Sequence, residues 1–218
     1  CCGSTQTNGL SKAAFNAYLK KDGTLADKND DHGVLGTEGY DDGKPVIYHL
    51  LEARDPRLAQ QIDGYLAYVG NGRKRYEGMK GQETVAENTS STGYGILKFD
   101  EPATEGKYRQ ATNGNETDAP IFWLAEILLN HAEACAELGK DAEAKVSLNK
   151  LRKRAGMPDY APVNDPANDA VLINGGTAVN DLVWEVRRER RIELMFDNND
   201  RYWSLIRWKE LKRLDTNL

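Results

Sequence analysis

Asp27, Asn29, Asp31 and Glu38 stand at positions 1, 3, 5 and 12 of a calcium-loop pattern, in which hard carboxylate and amide oxygens surround the ion. The sharp turn at position 6 of such a loop asks for Gly, yet His32 occupies it and Gly33 comes one residue late. No convincing exiting helix follows Glu38. A solvated acidic loop is the default here, calcium is the alternative, and no other cofactor is expected. The adjacent carboxylates Asp30–Asp31 and Asp41–Asp42 raise glycoside hydrolysis, which needs two carboxyl groups held about 5–10 Å apart. Neighbours on one loop do not hold that geometry. GxSxG, HExxH and phosphate-cradling Gly loops are absent, so the expectation is a protein that is not an enzyme. Cys1, Cys2 and Cys135 lack metal-ligand spacing with His32, His49 and His131, which argues against zinc.

A second concentration of chemistry is "EVRRERRIELMF", where four of five consecutive residues are Arg in a chain of 218 residues and net charge -5. A nucleic-acid helix would present an uninterrupted basic face. Here Glu185, Glu189 and Glu193 form an i, i+4 column through the arginines, with Arg188 three residues from Glu185 and Arg190 three from Glu193. Val183, Val186, Ile192, Met195 and Phe196 are spread around several faces. The pattern predicts a largely buried helix whose arginines find carboxylate or carbonyl partners inside the fold. No nucleic-acid partner is expected.

These residues need elements to position them. Ser11 can cap a short helix in "LSKAAFNAYLKK", with Ala14, Phe15, Tyr18 and Leu19 on one face. Asp55 followed by Pro56 starts another through Ile62. Most of 1–50 and 70–119 is rich in Gly, Asp, Asn, Ser and Thr and reads as loop, interrupted by one possible strand, "GYGILKF". From Asp118 the chain turns helical. Asp118 and Pro120 open a helix that Gly139 closes, with Leu124, Ile127, Leu128, Ala132, Cys135 and Leu138 at three- and four-residue steps. A second helix after Asp141 carries Ala144, Val146, Leu148 and Leu151 and stops at Gly156 and Pro158. Joined by "GKD", the two make a tetratricopeptide-type hairpin, with small Ala residues where the helices cross. One hairpin does not bury its own faces; roughly three repeats are the usual minimum. The fold class is thus mainly α: a tetratricopeptide-like hairpin plus further helices, long irregular loops and little strand. Residues 1–117 read as a loop-rich portion and 118–218 as a helical one, within a single domain.

"PIFWLAEILLNHAEACAELG", "LNKLRKRAGMP" and "VRRERRIELMFDNNDRYWSLIRW" together resemble successive blocks of the SusD/RagB family of outer-membrane nutrient-binding lipoproteins. "DPRLAQQI" and "TGYGILKF" resemble weaker family blocks in the same order, so the likeness covers about residues 50–211. It implies an α-rich fold on tetratricopeptide-like helix pairs and a lipid-anchored protein at the outer-membrane cell surface. It implies capture of an oligosaccharide or polysaccharide, less often a peptide, and its delivery to a SusC-type TonB-dependent transporter without chemistry. A tetratricopeptide-like adaptor that binds a peptide or protein is the alternative. Family members are usually longer, so the chain is expected to be a middle and carboxyl portion. The membrane anchor is not evident in it, and Cys1 is not read as the lipidated residue. Trp123 stands where the family often has Arg.

Under that reading a sugar site needs flat rings for pyranose faces and polar groups for the hydroxyls. Trp123, Trp184, Trp203 and Trp208 lie in helical patterns and are assigned to the core. The loop tyrosines Tyr40, Tyr48, Tyr65, Tyr68 and Tyr76 are the ligand-binding candidates, with Asp41, Asp42 and Asn71 as polar neighbours. Taken singly, each tyrosine more simply caps a loop cluster.

Overall fold

The computed structural model describes residues 10–27, 46–62, 98, 121–168, 178–197 and 200–211, with the side chains of 46–48 excepted. Among these the regular structure is helical. Residues 1–15 and 27–121 cluster as one unit, and residues 16–26 and 122–218 as a second.

In the first unit α1 (Lys12–Phe15) is a single turn. Ser11 caps it, its Oγ accepting from the Ala14 N–H at 3.2 Å. α2 (Val46–Ala53) falls in a stretch that reads as loop in the sequence. α3 (Pro56–Gln61) starts where Asp55–Pro56 places it, the Asp55 carboxylate accepting from the Arg57 N–H at 3.0 Å. The same carboxylate takes the Arg57 side chain through Nε at 3.0 Å and Nη2 at 2.6 Å. Cap and buried ion pair are therefore one group. Leu10, Phe15, Leu58 and Ile62 are buried, and the Arg54 guanidinium lies over the Phe15 ring at 5.1 Å.

The second unit is built on α4 (Leu124–Glu137) and α5 (Asp141–Arg154), the expected hairpin. Gly139 ends α4 at φ +69°, a left-handed conformation that favours Gly over other residues. Ala132, Ala136 and Ala144 are buried where the two helices meet, with Leu148 beside them. α6 (Asp181–Glu193) lays Leu182, Val183 and Val186 on the same cluster. Asn180 caps α6, its side chain accepting from the Val183 N–H at 2.8 Å. Leu129, Leu151 and Leu194 form a second cluster. α7 (Asp200–Arg207) follows. The turn at 20–24 belongs to this unit: Tyr18 is fully buried and donates its hydroxyl to Met195 Sδ at 3.7 Å. Gly23, at φ +85°, sits where a Cβ would meet Pro158 Cγ at 3.0 Å and Arg152 Nη2 at 3.3 Å.

Several expectations change. α4 begins at Leu124, with Trp123 as its cap residue, rather than near Asp118. Leu129 is fully buried while Leu124, Ile127 and Leu138 are exposed, so the packed face is rotated from the one the spacing selects. The physical reason is that α4 carries two apolar stripes, and a period of 3.6 does not say which one meets a neighbour. Val146 is likewise exposed on α5. Phe196 lies beyond α6 in the left-handed region (φ +67°) and is partly exposed.

Candidate ligand-binding surface

Tyr40, Tyr65, Tyr68, Tyr76, Asp41, Asp42 and Asn71 lie outside the described residues, as do Asn29, Asp31 and Glu38 of the acidic loop. Tyr48 lies on α2, but its side chain is outside the description too. Asp27 is described and exposed. Among the described residues no three His, Cys, Asp or Glu side chains group as metal ligands do.

The arginine-rich helix α6 is an internal tie. Arg152 of α5 donates to Glu185 at 2.5 Å and to the Pro158 carbonyl at 2.7 Å, and lies 3.6 Å from Glu189. Arg188 donates to Glu185, as the i, i+3 spacing predicts, and also to Asp165 at 3.2 Å. Asp165 also accepts the Trp184 indole N–H at 2.9 Å. Arg187 pairs with Glu210 at 2.9 Å and Glu137 at 3.4 Å. Arg190 departs from its expected partner Glu193: it donates to Asp200 at 2.9 Å and to Asn130, while Glu193 takes Arg154.

Glu133 of α4 is the other hub. Its carboxylate accepts two bonds from Arg207 and one from the Trp208 indole at 2.6 Å, with Arg190 at 3.4 Å. Burial alone pushes this carboxyl up, but the Arg207 and Trp208 hydrogen bonds and the Arg190 charge outweigh it and hold it below the usual range. Arg188 shows the opposite balance: burial pulls its guanidinium down to about 10 against the attraction of Asp165 and Glu189. Glu185, Arg188, Glu189 and Arg190 are buried, and their charges are consumed within the fold. Among the described residues, Arg187, Arg188 and Arg190 of α6 each have a carboxylate of the fold as partner.

The tryptophans divide. Trp184 and Trp208 are half-buried, and Trp208 has the guanidinium of Arg187 at 4.8 Å and that of Arg207 at 5.4 Å over its ring. Trp203, assigned to the core from its helical pattern, is instead 60% exposed, in edge contact with exposed Tyr202 at 5.3 Å and 71°. An eight-residue α7 is too short for its pattern to separate inner from outer positions; burial of Ser204 and Leu205 turns the rings outward. His131 meets Ser147 Oγ at 2.9 Å and Cys135 Sγ at 3.6 Å. That cluster sets two nucleophile types beside an imidazole, but no carboxylate among the described residues orients the ring as a hydrolytic triad requires.

The model of the SusD family matches residues 3–216. Over 127 residues the chain is 34% identical to the starch-binding protein SusD of Bacteroides thetaiotaomicron, covering 56% of this chain and 22% of that protein. Over 93 residues it is 32% identical to the SusD-like protein P38 of Formosa agariphila, covering 43% and 17%. The fold is similar to the crystal structure of a SusD-like protein from Bacteroides fragilis, with a TM-score of 0.56 at 24% identity over 92% of this chain and 36% of that one. The chain thus spans well under half the length of these relatives. With a family match along nearly its whole length, a shared helical fold and the arginine-rich helix serving that fold, the chain belongs to the SusD family.

Proposed function

We propose that this chain is part of a non-catalytic glycan-binding protein at the bacterial cell surface, which passes oligosaccharides or polysaccharides to a SusC-type TonB-dependent transporter in the outer membrane. The observation that carries the reading is the family match over residues 3–216, reinforced by a 34% identical relative named for binding starch. Five tyrosines supply the chemistry. Tyr40, Tyr48, Tyr65, Tyr68 and Tyr76 offer stacking faces, and Asp41, Asp42 and Asn71 offer acceptors and donors for hydroxyls. Calcium at Asp27, Asn29, Asp31 and Glu38 is a separable part of the proposal, since hard oxygens in an acidic stretch suit a hard cation. The adaptor reading needs a concave surface of several repeats, and the described residues contain one hairpin. Native electrophoresis through gels cast with starch, other α- and β-glucans or host glycans tests the reading. Retarded migration in at least one gel, diminished by Tyr→Ala changes in the loops and with the polysaccharide undegraded, is the expected result. Equal mobility in every gel would reject it, and an EDTA arm reads the calcium part separately.

A further inference from the structure

We draw no further inference here: the strongest candidate, the His131–Cys135–Ser147 side-chain cluster on the α4–α5 hairpin, carries nothing because Cys135 Sγ, 3.6 Å from Nε2 and 4.0 Å from Nδ1 of His131, lies against the face of the ring and not on the lone pair of either nitrogen, where proton sharing or metal chelation would need it.

Discussion

Glu185→Gln removes one negative charge from between two buried guanidiniums while keeping the side chain's shape. Glu185 is 1% exposed and accepts from Arg152 at 2.5 Å and from Arg188, whose side chains are 2% and 4% exposed. Breaking a buried pair from one side costs about 3–5 kcal/mol, because the remaining charge stays desolvated. Here each arginine keeps a second carboxylate, Glu189 at 3.6 Å from Arg152 and Asp165 at 3.2 Å from Arg188. That places the expected loss at the lower end, about 3 kcal/mol. For a chain of this size it corresponds to a fall in Tm of roughly 6–12 °C. Urea and thermal unfolding followed by circular dichroism read the loss directly. Fluorescence anisotropy with a labelled DNA duplex at low salt supplies the opposing measurement. If the arginine string were a phosphate-binding patch, Glu185→Gln would hardly change stability and would strengthen duplex binding by removing a nearby carboxylate. Loss below about 1 kcal/mol together with tighter, salt-sensitive DNA binding would refute the account of α6 as an internal tie.

Other outcomes follow from the same geometry. Because folding holds the Glu133 carboxyl below its ordinary value, its stabilisation is present above that value and drains away as pH falls through the folded one; Glu133→Gln should flatten the acid limb of a stability–pH curve. Asp55→Ala removes a helix cap and a carboxylate partner of buried Arg57 together, so it should cost about 2–4 kcal/mol in urea melts, where loss of a cap alone costs about 1. Gly139→Ala meets open space and should cost only the left-handed backbone penalty, about 1–2 kcal/mol; Gly23→Ala meets Pro158 and Arg152 as well and should cost measurably more in the same assay.

Local chemistry made several helix boundaries legible. Asp55–Pro56, Ser11 and Gly139 act through their own backbone neighbourhood, so a few residues suffice to read them. The arginine string was legible for a related reason. Its acid column and scattered apolar residues are incompatible with an exposed basic face, whatever the exact partners. Partner identity was not legible: Asn130, Glu133, Asp165, Asp200 and Glu210 reach α6 from outside it, and only folding brings them together. The choice between the two stripes of α4 failed for the same reason, since helical period reports amphipathicity and not the neighbour. α2 escaped because the turn-forming residues before Val46 made the whole stretch read as loop. As for the sugar site, residue types single out tyrosines as candidates, and which of them meet is set by long-range placement that composition does not encode.

The most direct test of the central claim is isothermal titration of this chain with a panel of plant and host oligosaccharides, with chromatography of the sugar recovered afterwards. The account predicts saturable heat for at least one oligosaccharide, reduced when the loop tyrosines are changed to alanine, with the sugar recovered intact. Silence across the panel, or shortened sugar in the recovered solution, would contradict it.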